Sequence, residues 1–316
     1  MTSSPSILRS SQPSFLSSLW QFSRPHTIVG TSLSVLALYF IALGTTNQSF
    51  SVMNLQQILA VWAACLGGNV YIVGLNQLYD VEIDKINKPH LPLASGAFTA
   101  QQGWLIVTSM GIGAIAIASL AGKYLLATIL ISLLIGSAYS LPPIRLKQFP
   151  LWAAFCILTV RGVVVNLGLW LHFSHKFQAG SLQNQSLISG EVWLLTAFIV
   201  LFTIAIAIFK DVPDLEGDRT YNIATFSLIL GKTKVLQITL GVIAFCYLGM
   251  IVAGLARITA VNSSFFVGYH LVLLGLLWWR SREIDLEKPE AIASFYQFIW
   301  KLFFLEYILF PLACFV

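Results

Sequence analysis

The chain has 316 residues, of which 10% are charged and 57% are hydrophobic, and its mean hydropathy is +0.80. A soluble globular domain carries roughly 25% charged residues. So few charges could not cover a water-exposed surface, and the composition therefore excludes a water-soluble protein. The apolar runs are continuous and do not alternate with polar residues, which argues against a membrane β-barrel. The composition predicts an all-α membrane protein.

Nine charge-poor apolar runs predict nine transmembrane helices in a single bundle. A helix needs about 20 apolar residues to cross a bilayer. The predicted spans are residues 27–44, 55–75, 104–122, 124–141, 151–171, 192–209, 235–256, 265–279 and 298–316. Little more than Gly122 and Lys123 separates the third span from the fourth. The ninth is the least regular, because it contains Lys301 and Glu306.

The positions of the basic residues predict the orientation of the bundle. With the N-terminus in the cytoplasm, fourteen of the 18 Lys and Arg residues fall on the inner side, three fall on the outer side, and Arg161 lies inside a span. Cytoplasmic loops carry the excess of basic residues in membrane proteins. We therefore interpret residues 1–23, which are rich in serine, as a cytoplasmic N-terminal tail, and residues 24–316 as one nine-helix transmembrane domain.

The acidic residues are concentrated in two short stretches. Seven of the 13 lie either in residues 76–84, at the inner end of the second span, or in residues 210–219, at the inner end of the sixth. Helical spacing predicts that three residues with side-chain oxygens in each stretch share one face of a helix. These are Asn76, Asp80 and Asp84 in the first stretch, and Asp211, Asp214 and Asp218 in the second. Pro213 weakens the second interpretation, because proline disfavours helix at the preceding residue, and Gly217 suggests that the helix ends nearby.

Such groups of carboxylates repel one another unless a cation neutralises them. Mg2+ typically takes one or two carboxylates together with water and substrate phosphates. Both sets, with the Asn76 amide, are therefore candidate ligands of Mg2+ on a diphosphate; the alternative is a pair of solvated acidic loops. Several side chains on the same side are candidates for binding the phosphate oxygens. They are Lys85, Lys88, Tyr139, Arg145, Lys147, Lys210 and Arg219.

Arg161 lies near the middle of the fifth span, where a charge costs roughly 2.5–3.5 kcal/mol or more. It must therefore face the bundle interior and find a partner, which is either Glu306 or an anionic group of a substrate. His270, alone in the eighth span, is expected to be a hydrogen-bonded core residue. A transporter is the rival class, but transport sites usually lie near the membrane midplane, whereas these acids lie at one face.

Six stretches resemble the UbiA-type intramembrane prenyltransferases, and within them the homogentisate prenyltransferases. The stretches are residues 22–27, 68–80, 87–94, 161–168, 208–218 and 293–307, and the resemblance extends over about residues 20–316. The chain departs from the wider family at two positions. Gln77 stands where an aspartate is frequent, as in the homogentisate subgroup. Leu91 stands where an arginine is frequent, which leaves Lys85 or Lys88 to supply that phosphate contact.

The resemblance implies an enzyme that transfers the phytyl group of phytyl diphosphate to homogentisate with loss of carbon dioxide, a step toward tocopherol. By the same resemblance, the two aspartate sets hold Mg2+ on the diphosphate. The acceptor carboxylate needs a cation, for which Arg24 and Arg161 are candidates, and His26 is a further candidate for the acceptor site. A geranylgeranyl or solanesyl donor, or a chlorophyllide acceptor, is the alternative.

The resemblance also carries expectations about the surroundings of the enzyme. Membrane lipid is an expected partner, and nucleic acid is not. The absence of a long targeting extension favours a cyanobacterial plasma or thylakoid membrane, with the active site facing the cytoplasm. The oligomeric state stays open.

Overall fold

The computed structural model describes residues 14–46, 51–177, 187–221 and 224–315. Over these ranges every regular element is a helix, and the all-α prediction is confirmed. Residues 1–13 of the predicted tail lie outside the described ranges, whereas residues 15–22 of that tail form a short helix. Its last residue, Phe22, is buried and packs its ring against Phe98 at a centroid distance of 5.8 Å.

Fourteen α-helices make up the described fold. They are α1 (Phe15–Phe22), α2 (Pro25–Thr45), α3 (Val52–Tyr79), α4 (Val81–Asn87), α5 (Ala100–Ala121), α6 (Lys123–Ser140), α7 (Pro150–Ile157), α8 (Val165–Phe177), α9 (Gly190–Phe209), α10 (Leu215–Thr220), α11 (Phe226–Leu230), α12 (Lys232–Leu255), α13 (Ser263–Ser281) and α14 (Pro289–Phe315). A 3-10 turn occupies Leu146–Gln148, and a π-helical turn at Leu158–Val164 joins α7 to α8.

Eight helical segments of the described chain are long and apolar enough to cross a membrane, so the protein is an integral membrane protein. They are α2, α3, α5, α6, the continuous segment Pro150–Phe177, α9, α12 and α14. The predicted span at 265–279 corresponds to α13, which has 19 residues but is less apolar, since it includes Tyr269, His270 and Arg280. The count of nine is therefore not reproduced.

The structure agrees with some of the other predicted helix boundaries and differs from others. α5 and α6 are separated by Gly122 alone, at φ 145°, which confirms the predicted junction. The last helix begins at Pro289, well before the predicted residue 298, and Lys301 and Glu306 do not interrupt it. A charged side chain leaves the backbone hydrogen bonds of a helix intact, and its burial is decided by the neighbouring helices.

Small residues let the central helices approach closely. α3 packs against α2, α5 and α6, while α14 packs against α2 and α9. At Gly136 of α6 a Cβ atom would lie 2.6 Å from Ile72 of α3, and at Gly111 of α5 it would lie 2.6 Å from Tyr71. Glycine at these positions allows the tight backbone packing that holds membrane helices together. A common central space is surrounded by α2, α3, α6, α9, α14 and the π-helical turn.

Candidate active site

The two acidic stretches are both built at a break between a long helix and a short one. α3 ends at Tyr79, Asp80 takes a non-helical conformation (φ −118°, ψ 15°), and α4 follows. α9 ends at Phe209, and a turn containing Pro213 separates it from α10. The prediction that each acid set lies on one continuous helical face is therefore wrong. Gly217 lies inside α10, which ends nearby at Thr220, as predicted.

The two acidic stretches meet through their short helices, because α4 packs against α10. The side-chain Oδ1 of Asn87 accepts a hydrogen bond from the Gly217 N–H at 2.8 Å. Lys88, the next residue, forms an ion pair with Asp214. A Cβ atom at residue 217 would overlap the Asn87 side chain, so this close approach requires glycine. The structure thus brings the two carboxylate sets together across the α4–α10 contact.

Gly217→Ala is expected to displace Asn87 and separate the two acidic stretches. The loss of a partly buried hydrogen bond, together with the overlap, should lower the free energy of unfolding by about 1–3 kcal/mol and reduce enzymatic turnover by roughly tenfold or more. Thermal unfolding and turnover in detergent measure the two effects. Gly241→Ala in α12 is the control, since a Cβ atom there meets nothing within 4 Å. Equal behaviour of the two variants would contradict the role assigned to the Asn87–Gly217 contact.

Most of the clustered carboxylates already have a basic partner. Asp80 accepts a hydrogen bond from Arg145 at 3.0 Å and pairs with Lys147, while Asn76 donates to its other oxygen at 2.8 Å. Asp211 pairs with Lys210. Burial lowers the pKa of Lys210, but Asp211, Tyr139 and Asp214 together more than offset that effect, so the pKa lies above its usual range. Lys88, Arg145, Lys147 and Lys210 are thus brought to the acid cluster.

Asp84 and Asp218 are the exceptions. Asp84 is 5% exposed, and its Oδ2 has no hydrogen-bond partner in the described structure; the nearest cation, Arg24, lies 4.0 Å away. Burial raises the pKa of the Asp84 carboxyl above its usual value. Burial, reinforced by the Asp214 and Asp211 carboxylates, raises the pKa of Asp218 to about 7. Each upward shift means that the ionised carboxylate is destabilised in this position, and a bound cation would stabilise it.

The donor set fits a hard divalent cation that shares its ligands with a substrate. A buried carboxylate oxygen without a partner, facing further carboxylates, is a suitable ligand for Mg2+. Within the described part of the chain, no three His, Cys, Asp or Glu side chains converge closely enough to hold a metal ion alone. Mg2+ usually completes its shell with water and phosphate oxygens. The cluster therefore fits Mg2+ bound together with a diphosphate.

Two arginines of the cluster have strained backbones. Arg24 has φ 53° and Arg145 has φ 37°; of the described residues other than glycine, only Arg257 also has a positive φ. Such conformations cost about 1–3 kcal/mol and concentrate at functional sites. Arg24 donates to Asn76 at 3.1 Å and so joins the first acidic stretch. Such strain persists only where surrounding contacts hold it, and here the guanidinium groups are held by Asn76 and Asp80.

Two of the predicted phosphate ligands are not brought to the cluster. Lys85 forms an exposed ion pair with Glu82 at 2.6 Å, on the side of α4 that faces away from Asp84. Arg219 is exposed as well. Both lie on short surface helices, where basic residues need no ligand.

A cavity of about 290 Å³ extends from the acid cluster into the bundle. Arg24, Asn76 and Lys210 line one end, beside the acidic stretches, and Tyr139 also lines the wall. The lining continues along α3 to Cys65, which is about three helical turns from Asn76. The volume is close to the lower range of small-molecule sites. The cavity therefore leads from the acid cluster to the middle of the bundle.

One wall of the cavity is an aromatic face of α14. Tyr296, Trp300, Phe303 and Tyr307 all line it, and their spacing of four, three and four residues places them on one side of the helix. Sequence analysis did not single out these residues. Their helical spacing within residues 293–307 could have indicated a shared face. The chain has 41 Phe, Trp and Tyr residues, however, so an aromatic side chain is too common here to stand out.

Arg161 faces this aromatic wall. Its guanidinium carbon lies 4.5 Å from the centroid of the Trp300 ring and 5.7 Å from that of Phe303. His26 also packs its ring against Trp300, with the two ring centroids 4.9 Å apart. No acidic side chain of the described chain forms an ion pair with Arg161. Aromatic faces stabilise a cation but leave its hydrogen-bond donors free for an anion.

Glu306 has other partners, so it is not the partner of Arg161, which was one of the two alternatives. One Glu306 carboxylate oxygen lies 3.3 Å from His270 Nε2, and the other accepts a hydrogen bond from the Tyr269 hydroxyl at 3.2 Å. His270 is fully buried, and its Nδ1 lies 2.8 Å from the Phe266 carbonyl oxygen. The prediction of a hydrogen-bonded core histidine is thereby confirmed. Of the two partners considered for Arg161, the anionic substrate group remains.

Comparison with known proteins connects this arrangement to a family. The model of the UbiA prenyltransferase family matches residues 32–302. A homogentisate phytyltransferase from Synechocystis sp. is 55% identical over 94% of this chain and 96% of its own. Homogentisate phytyltransferase 1 from Arabidopsis thaliana is 40% identical over 96% of this chain and 77% of its own.

A solved structure supports the fold independently. It is a UbiA homologue from Archaeoglobus fulgidus bound to GPP and Mg2+, with 17% identity, a TM-score of 0.61, and coverage of 94% of this chain and 99% of the other. At this identity the likeness concerns the fold alone. Together with the family match over most of the chain, these findings establish that the chain belongs to the UbiA prenyltransferase family.

Proposed function

We propose that the protein transfers the phytyl group of phytyl diphosphate to homogentisate, giving 2-methyl-6-phytylbenzoquinol, diphosphate and carbon dioxide. The observation that carries the proposal is a cavity that joins two charged sites. One end of it, lined by Arg24, Asn76 and Lys210, adjoins the facing carboxylates and their basic partners, and its wall holds Arg161, a cation with no acidic partner in the described chain. The first site suits a diphosphate with Mg2+, and the second suits the carboxylate of a small aromatic acid. The similarity to homogentisate phytyltransferases favours these two substrates.

The residues of the acid cluster would have two roles, since some would hold Mg2+ and others would bind phosphate oxygens. Asn76, Asp80, Asp84, Asp211, Asp214 and Asp218 would hold Mg2+, which supplies positive charge to the departing diphosphate. Once these carboxylates bind metal, their present partners are free to donate to phosphate oxygens. These partners are Lys88, Arg145, Lys147 and Lys210. Their charges act most strongly as the C–O bond breaks and the electron pair moves to the diphosphate, which is transition-state stabilisation.

The aromatic wall receives the two reacting carbons. The allylic carbon gains positive charge as the C–O bond breaks, and the faces of Tyr296 and Trp300 stabilise such charge and exclude water. Arg161 holds the acceptor carboxylate, and His26 packs beside it. A ring carbon beside a hydroxyl group then donates an electron pair to the allylic carbon. The attacked ring carbon then loses its proton, which restores the aromatic ring. The bond between the methylene carbon and the carboxylate breaks to release carbon dioxide, and the methylene carbon takes up a proton in its place.

We also propose that the acid cluster faces the cytoplasm of a cyanobacterial cell. The loops at this end carry most of the basic residues, as inner loops do. Residues 1–23 would then be a cytoplasmic tail, and residues 24–316 the transmembrane domain. Labelling of single cysteines introduced at residues 82 and 257 in intact cells tests this orientation: only position 257 should react with an impermeant reagent.

Incubation of the purified protein in detergent tests the proposed reaction. Homogentisate and Mg2+ are combined with phytyl, geranylgeranyl or solanesyl diphosphate, and products are identified by mass. We expect a phytylated, decarboxylated quinol that forms only with Mg2+. Preferred use of solanesyl diphosphate would reject the donor but keep the acceptor. Release of diphosphate without any quinol would reject homogentisate, and no reaction with any donor would reject prenyl transfer.

A further inference from the structure

Arg161 is presented by an unusual backbone. It lies within the π-helical turn Leu158–Val164, the one π-helical turn of the described chain. The Val165 N–H bonds to the carbonyl of Val160, five residues back. Such a turn widens the helix and redirects the side chains it carries, and π-helical turns are frequent at functional sites. The direction of the Arg161 side chain therefore depends on this turn being kept.

Asn166 stabilises the end of the π-helical turn. The residue is fully buried, and its Nδ2 donates to the Gly162 carbonyl at 2.7 Å and to the Arg161 carbonyl at 3.4 Å. A change between four-residue and five-residue pairing leaves carbonyl groups at the junction short of backbone donors, and buried carbonyls need one. The Asn166 amide supplies it. The same side chain thus holds the backbone of the residue whose guanidinium faces the cavity.

Tyr307 connects this turn to the aromatic wall. Its hydroxyl donates to Asn166 Oδ1 at 2.9 Å, across 141 residues of sequence. Tyr307 lies two turns beyond Trp300 on the same face of α14, and Trp300 is the ring over which Arg161 lies. One chain of hydrogen bonds therefore connects the backbone of Arg161 to α14, the helix that carries the ring against which its guanidinium rests.

We propose that Asn166 and Tyr307 are positioning residues that hold Arg161 in the orientation required to bind the acceptor carboxylate. This inference rests on the proposed function. Without the Tyr307 hydroxyl, the Asn166 oxygen lacks its donor, the amide is free to turn, and the π-helical turn loses its stabilising bond. Arg161 would remain charged and half-buried but would occupy more orientations. The protein should then lose its preference for a charged acceptor, while the diphosphate end is unaffected.

The test compares homogentisate with its carboxamide, which has the same shape but no charge. The proteins compared are Tyr307→Phe, Arg161→Gln and the native protein. For each, the inhibition constant of the carboxamide and the KM values of homogentisate and phytyl diphosphate are measured. Tyr307→Phe should reduce the preference for acid over amide roughly tenfold, the effect of one buried hydrogen bond. KM for phytyl diphosphate should change less than twofold. Tyr39→Phe is the matched control, since Tyr39 is buried, its hydroxyl has no hydrogen-bond partner among the described residues, and it does not line the cavity.

The possible outcomes are distinguishable. If Tyr307→Phe lowers kcat or stability but keeps the acid–amide preference, Tyr307 is merely structural and the inference is overturned. If Arg161→Gln also keeps the preference, the acceptor assignment of Arg161 in the proposed function fails first. If the native protein does not prenylate homogentisate at all, the proposed function fails. Asn166→Leu, similar in size but without donors, should reproduce the Tyr307→Phe effect and replaces it if that variant does not fold.

Discussion

Asp84→Asn is expected to reduce kcat for prenyl transfer by about 10³-fold, the size of effect found when a group that stabilises transition-state charge is removed. The substitution keeps the shape of the side chain but removes the negative charge of a buried carboxylate whose Oδ2 has no hydrogen-bond partner in the described structure. Single-turnover measurements over a range of Mg2+ concentrations check the expectation. Residual activity above a tenth of the native value would contradict the assignment of Asp84 to the metal site.

The same variant should fold at least as well as the native protein. Burial raises the pKa of Asp84, which means that the ionised form is destabilised in the folded state. Replacing it with a neutral amide removes that penalty, so the unfolding temperature should stay equal or rise while activity is lost. Asp80→Ala should also abolish turnover, but it leaves Arg145 and Lys147 without their partner and is harder to interpret.

Glu82→Gln is the matched control for Asp84→Asn. It makes the same chemical change two residues away on α4, where Glu82 is exposed and pairs with Lys85. Exposed ion pairs of this kind contribute about 0–1 kcal/mol to stability. Turnover and unfolding temperature should therefore remain close to the native values. A comparable loss of activity in Glu82→Gln would mean that activity depends on the total negative charge of α4 and not on the position of Asp84.

The spans and the acid clusters could be predicted from sequence because each follows from composition over a short window. An apolar run of about 20 residues matches the thickness of a bilayer and is uncommon outside membrane-spanning helices. Carboxylates are so scarce in this chain that their concentration near residues 80 and 214 is itself informative. α13 shows the limit of the same reasoning. Its length fits a span, but its polar side chains lie against α12 and α14, a fact that only tertiary packing reveals.

The side chains that join the two halves of the site could not be predicted, because they are far apart in sequence. Asn87 and Gly217 are separated by 130 residues, and Asn166 and Tyr307 by 141. Lys85 and Lys88 differ by only three residues, yet the packing of α10 brings Lys88 alone to the acid cluster. Helical spacing relates residues within one element. It does not say which face a second element will cover.

Arg161→Gln is expected to raise KM for homogentisate about 30–100-fold, because a charge-assisted hydrogen bond to a buried carboxylate contributes roughly 2–3 kcal/mol. KM for phytyl diphosphate should stay within twofold, because its proposed site is the acid cluster, whose carboxylates pair with other cations and not with Arg161. Arg161→Lys keeps the charge but loses the planar group that lies over Trp300, so an intermediate KM is expected. Steady-state kinetics with each substrate varied in turn separate these effects.

Arg282→Gln provides the control for this prediction, because Arg282 also lies over a tryptophan. Its guanidinium carbon is 3.7 Å from the Trp278 centroid, but the residue is exposed at the end of α13 and away from the cavity. The substitution removes the same charge and the same stacking, and both KM values should be unchanged. If Arg161→Gln instead raised KM for phytyl diphosphate, the guanidinium would be a phosphate ligand. The cavity would then bind the donor along its whole length, and the acceptor would have to enter from the other side of the aromatic wall.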